Sequence, residues 1–238
     1  MTASEGESGL AQRSSRPEDE LIFIESRWPI ALAVSVVLGI ILALRIIEPV
    51  HVLAGLPTWV LSIIVIGLVI ALIAVDTAHV TRKTQWFRRI AITLTMTLLA
   101  VALVDTVTLI VDLVNGSELT KSAGPLLASG GATWLGNCLV FGLAYWQLDS
   151  GGPLARARRE REFPDFAFTE LINPDIAPPD WRPRYVDYLA LGFTTSTAFS
   201  PTDVMPVSAW AKLGMALQAL VALLIVALVI SRAINVLP

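Results

Sequence analysis

An all-α, polytopic bundle of transmembrane helices is the fold this 238-residue sequence predicts, on three observations. Hydrophobic residues make up 55% of the chain and charged residues only 16%, where soluble domains carry about a quarter charged. Apolar runs of about twenty residues recur, each long enough at ~1.5 Å per residue to cross a ~30 Å hydrocarbon layer. Arg and Lys are gathered into a few segments between those runs, as in chains whose basic loops stay in the cytoplasm. Five clear spans and one short helix, either re-entrant or spanning, are expected.

Residues 1–27 form a polar tail, read as disordered and cytoplasmic, without the apolar centre of a cleavable signal peptide. A four-helix transmembrane region follows over residues 28–148. Its first span runs from Trp28 to Ile47, where Ser35, Gly39 and Ala43 form a small-residue stripe that favours close helix packing. The second opens at Pro57 and ends near Ala74, with Asp76 and His79 beyond it. Arg82, Lys83, Arg88 and Arg89 then mark a cytoplasmic loop. In the third span, Ile90 to Val114, Asp105, Thr108 and Asp112 share one helical face. A carboxylate at the depth of Asp105 costs about 3 kcal/mol to insert, so it is expected to face a partner or a wet cavity. Asn115 to Gly131 reads as an outward-facing loop, and Ala132 to Leu148 as the fourth span, in which Asn137 is expected to hydrogen-bond across helices.

Gly151, Gly152 and Pro153 end that span, and Arg156, Arg158, Arg159 and Arg161 mark a second cytoplasmic segment. Residues 149–184 are a basic, Pro-rich connector with no strand or helix period, whose Phe166, Phe168 and Trp181 are expected to pack on the helix ends. The glycine pair lacks the spacing and the Lys-Ser/Thr of a phosphate-binding loop, so no nucleotide is expected. All seven tryptophans fall at or just outside expected span ends, as an aromatic belt.

Residues 185–238 read as a pore-like hairpin. A short helix from Tyr185 carries Thr194, Thr195, Ser196 and Thr197; a Pro-bounded break follows with Ser200 before it and Asp203 within it; a final helix runs from Trp210 to Val236 with Gln218 inside. These hydroxyls, Asp203 and Asp105 are the candidate polar pathway. The plainer alternative is that each hydroxyl bonds a carbonyl of its own helix. With both basic loops inside, Tyr185 starts from the cytoplasmic side. Either the short helix crosses, placing Asp203 outside and Arg232 inside, or it is re-entrant and the C-terminus ends outside. Arg232 near the end favours six segments.

Several words in the chain are familiar together: Trp134–Pro153, Phe163–Phe166, Pro178–Trp181 and Thr197–Asp203. They resemble a family of uncharacterised bacterial integral membrane proteins, a likeness that covers residues 28–237 and implies a polytopic helical fold but no activity. Gln147 stands where that family's pattern has an acidic residue. A weaker likeness is to the pore module of two-helix potassium channels, with Thr194, Thr195, Asp203 and Pro206 in comparable places. Its filter is missing, because residues 196–200 contain no glycine to free the backbone, so potassium selectivity is not implied.

Cys138 is the single cysteine, which excludes an intramolecular disulfide and a Cys-rich metal site. The two histidines, His51 and His79, sit at loop edges, and the spans contain no paired catalytic carboxylates, zinc spacing or Ser/His dyad. Neither an enzyme nor a cofactor is expected, and no basic face suits nucleic acid. The expectation is a multi-pass, homo-oligomeric protein of the bacterial inner membrane, channel-like or transporting small ions. The alternative is a non-conducting scaffold.

Overall fold

The computed structural model describes residues 84–116, 121–157, 160–173, 175–178, 181–198 and 203–236, together with Ser35, Val36 and Gly39. The second expected span, the rest of the first, and Ser200 lie outside the described residues. Among the residues from 84 onward that are described, the α-helices and strands in order are α1 (Thr84–Asn115), α2 (Ala123–Leu148), α3 (Pro153–Ala157), β1 (Phe166–Phe168), α4 (Thr169–Ile172), α5 (Tyr185–Ala198), β2 (Val204–Pro206) and α6 (Ala209–Val236). Among the described residues three are long and apolar enough to cross a membrane: α1 from Arg88, α2 and α6.

Each long helix ends for a local reason. At the end of α1, Gly116 takes a left-handed turn (φ 77°) and its N–H returns to the Asp112 carbonyl at 2.9 Å. Beyond α2, Ser150, Gly151 and Gly152 all have positive φ (52°, 84° and 100°), a path that cannot continue a helix. The start of α2 corrects the sequence reading, because residues 123–131 are helical rather than loop. Pro125 is the third residue of α2, where no intrahelical N–H bond is lost. Gly130 serves packing rather than a turn: a methyl group there would lie 2.6 Å from Val229 of α6.

The packing order along α2 sets the topology. Gly142 of α2 lies against Tyr188 and Leu189 of α5, and Cys138 against Gly192, so α5 runs antiparallel to α2. Gly214 of α6 lies by Tyr145, and Val229 by Gly130, so α6 is antiparallel to α2 as well. The consecutive helices α5 and α6 are therefore parallel, and the chain must come back from the inner end of α5 to start α6 where α5 started. At ~21 Å for 14 residues, α5 covers about half the length of the bundle. β2 closes the return, pairing antiparallel with β1 (Phe166 opposite Pro206, Phe168 opposite Val204).

The starts of α5 and α6 thus share one end of the bundle. Arg232 lies at the opposite end of the bundle beside Gly116, where its cation complements the carbonyl end of α1. The basic segments share the other end, since a methyl group at Gly151 would lie 3.8 Å from both Arg88 and Arg161.

Two further expectations change. The connector contributes a strand and a helical turn, so the fold is helical with one small sheet rather than purely all-α. Trp134 is not at a helix end; α2 begins earlier than expected, which leaves this ring in mid-helix, edge-on to Phe193 at 5.5 Å. Trp146, Trp181 and Trp210 do gather at the basic end, around a cluster that includes Phe141, Tyr145, Phe166, Tyr188 and Met215. A second cluster at the far end joins Leu109, Leu126, Val221 and Val229.

The α2–α5 contact is backbone to backbone: a Cβ at Gly192 would fall 2.6 Å from the Cys138 carbonyl oxygen. Backbone cannot yield as a side-chain tip does. Gly192→Ala is therefore expected to lower stability by about 1–3 kcal/mol in thermal unfolding in detergent. Gly131→Ala, on an open face of α2, is expected to be neutral or to stabilise by up to about 1 kcal/mol.

Candidate functional site

The hairpin of α5 and its return is held at two levels. At its base the anchor is Asp149, 1% exposed, on the turn that ends α2. The left-handed residues after Leu148 swing the chain across the end of the bundle, and the connector folds back over the Asp149 carboxylate. Oδ1 accepts the N–H of Asp165 (2.9 Å), the N–H of Phe166 (3.3 Å) and the hydroxyl of Ser150 (2.9 Å). Oδ2 accepts the phenol O–H of Tyr188 in a short contact. Asp165 answers from the connector, accepting the Ser150 N–H (2.8 Å) and the Trp210 indole N–H (2.9 Å), with Arg161 at 3.5 Å. Arg156 donates to the carbonyls of Trp146 and Asp149 and lies over the Tyr188 ring at 5.0 Å. One carboxylate thus joins the end of α2, the connector and the start of α5.

Midway along the bundle the anchor is Gln218 of α6, which is wholly buried. Its Oε1 accepts the Tyr145 O–H at 2.7 Å, and its Nε2 donates to the Gly192 carbonyl (2.6 Å) and to Ser196 Oγ (2.9 Å). A buried amide left unpaired is costly, so these bonds specify the depth and rotation of α5.

The hydroxyl run on α5 divides. Thr194 donates to the Ala190 carbonyl (3.0 Å), Ser196 to Gly192 (3.0 Å) and Thr197 to Phe193 (3.1 Å). Thr195 makes no such bond; its Oγ1 is buried without a partner. Asn137, expected to hydrogen-bond across helices, has its Nδ2 buried and unpartnered, as does Trp134 with its Nε1. Asp203 lies exposed at the base of the return, where its carbonyl accepts both the N–H (3.1 Å) and the hydroxyl (2.7 Å) of Thr169. Asp105 is half-buried on α1, which packs on α2 and α6 as α5 does but shares no extensive contact with α5. The structure therefore brings Thr194–Thr197 together on one half-helix, leaves Asp203 beside Thr169 at the base of the return, and leaves Asp105 on another helix.

Sequence reasoning did not single out Asp149, Asp165, Tyr188 or Gln218 as anchors. Gln218 had a signal, as an isolated amide in an apolar helix. Asp149 and Asp165 had none beyond being acidic residues in a connector otherwise read as basic.

Because the Asp149 carboxylate is desolvated and saturated, Asp149→Asn replaces one acceptor edge with donors that face other donors. A loss of about 2–4 kcal/mol is expected. Tyr188→Phe is expected to cost about 1–3 kcal/mol, and the double substitution less than the sum, because both remove the same bond. Unfolding in detergent gives the energies, and limited proteolysis of the connector reports its release.

Compared with models of known families, with curated proteins and with solved structures, the chain matches none.

Proposed function

We propose that this chain is a multi-pass protein of a bacterial inner membrane that moves small ions, channel-like or as a transporter, with α5 as its pore-type half-helix. The observation that carries the reading is the parallel course of α5 and α6, which requires a helix to enter the bundle halfway and the chain to turn back. Non-helical backbone at membrane depth is tolerated only where protein buries it or where it lines a wet cavity. A passive scaffold has no use for a broken helix.

The polarity of the half-helix favours cations. Its carbonyl end points into the bundle, and half-helix C-termini and free carbonyls at the midplane attract positive charge. A hydroxyl that donates to its own helix still presents lone pairs outward, so Thr194 and Thr197 can offer oxygen to a passing cation. In this reading Thr194, Thr195, Ser196, Thr197 and Ser200 border the path, Asp203 stands at its mouth, and Asp105 supplies a second acidic position on α1. The lipid bilayer is the partner, and a homo-oligomer would enclose the path on the exposed face of α5.

A scaffold role is the second reading, favoured by one observation: Leu171, Ile172 and Ile176 lie exposed on the connector. Replacing residues 163–184 would then remove a stoichiometric partner in pull-down.

Reconstituted in liposomes, the wild-type protein is expected to pass monovalent cations in preference to chloride. Asp203→Asn is expected to lower that flux by up to about tenfold at low salt and by much less at high salt, because a mouth charge acts through a screened field. Absence of any flux in sealed, correctly oriented vesicles would sink the transport reading and leave the scaffold.

A further inference from the structure

Like charges on separate elements repel, so two guanidiniums that the fold brings to one point call for an anion between them. Arg88 opens the apolar stretch of α1, and Arg161 belongs to the connector. The turn that ends α2 brings them together: Arg88 Nη2 and Arg161 Nε both lie 3.8 Å from the position a Cβ would take on Gly151. The two nitrogens are therefore at most twice that distance apart. Gly151 keeps the notch open, since its φ of 84° and the Ala155 methyl, 3.2 Å from the same position, disfavour any side chain there. Both arginines are exposed. The protein's own carboxylates do not hold the pair. Asp165 comes only to 3.5 Å from Arg161, and its two oxygens already accept the Ser150 and Trp210 N–H groups. No carboxylate among the described residues is paired with Arg88.

The chemistry of the pair names the class of anion. A guanidinium presents a planar fork of donors that matches an oxyanion with several acceptor oxygens, phosphate above all. Two hydrogen bonds of about 2.8 Å with the width of a phosphate between them span about 8 Å, so one phosphate group can bridge nitrogens as close as these. Depth names the source. Arg88 is the first residue of one membrane-length stretch and Gly151 the last of another, and Trp146 and Trp210 gather at the same end. Phospholipid headgroups lie at that level, and basic pockets between helix ends there suit anionic lipids. We propose that Arg88 and Arg161, over the notch at Gly151, form a phosphate site that holds the headgroup of an anionic phospholipid against the ends of α1 and α2.

The site requires the bundle to lie in a bilayer but does not require it to move ions. Its test reads lipid and not flux. Full-length protein in non-ionic detergent is titrated with phosphatidylglycerol or phosphatidylcholine, and bound lipid is counted by native mass spectrometry. The wild type is expected to bind one phosphatidylglycerol per chain at least about tenfold more tightly than phosphatidylcholine, and Arg88→Gln/Arg161→Gln to lose that preference. Arg89→Gln/Arg182→Gln removes the same charge from the same end of the bundle and is expected to keep it. Equal losses in the two double variants would show a diffuse basic surface and overturn the proposal, as would a wild type without preference. Displacement of the lipid by millimolar inorganic phosphate would give the pair to a soluble phosphate group and overturn the lipid as its occupant. If the first double variant does not fold, Arg161→Gln alone carries the comparison, with weaker phosphatidylglycerol binding supporting the site and unchanged binding refuting it.

Discussion

The carboxylate of Asp149 is the constraint on which the rest of the described structure depends. It is buried at the end of α2 and would be ruinous there without compensation, because a desolvated charge needs several hydrogen bonds to be tolerated. The compensation comes from three directions: its own turn through Ser150, the connector through two backbone N–H groups, and α5 through Tyr188. Satisfying one charge therefore draws a Pro-rich connector onto the bundle and places the start of a helix. The aromatic cluster of Phe166, Phe168 and Trp210 then closes over it, with Phe166 edge-on to Trp210 at 5.5 Å and Phe168 edge-on to Tyr188 at 5.1 Å.

Given that base, Gln218 and the glycines decide how deep α5 goes. Gly142 and Gly192 let the two helix backbones touch, which shortens every distance between α2 and α5 and brings Gln218 within reach of the Gly192 carbonyl. The amide is wholly paired, so a shift of α5 by one turn in either direction would strand it. Depth is set by hydrogen-bond geometry, and closeness by the absence of side chains. The β1–β2 pairing adds a third tie, fastening the return segment to the connector that Asp149 already holds.

The half-helix α5 rests on the same frame. A half-helix is expensive for a membrane bundle, since its carbonyl end and the backbone that returns from it must be satisfied away from bulk water. Here the hydroxyls of Thr194, Ser196 and Thr197 are tied to their own helix, whereas Thr195, Asn137 and Trp134 keep polar atoms without protein partners. Thr195 thus differs from the three hydroxyls beside it, which shape α5 through bonds to their own helix.

The apolar run lengths by themselves determined that helices exist over 90–114, 132–148 and 210–236, because burial of backbone polar groups in an apolar layer leaves little else to form. Gly151, Gly152 and Pro153 likewise announced the end of α2 through local backbone geometry, and the short helix from Tyr185 was legible as a separate element. What residue order could not decide was that α5 and α6 run parallel, because that course depends on which surfaces of α2 each helix meets. The start of α2 was misread for a related reason: Gly124, Pro125, Gly130 and Gly131 look like a turn until Val229 fills the space above Gly130. Asp149, Asp165 and Gln218 were visible as polar residues, but their value depends on donors up to 73 positions away, as for Tyr145 and Gln218. Only tertiary contact decided these points, because hydrogen bonding across helices and backbone-to-backbone packing are properties of which surfaces meet, and no local pattern encodes them.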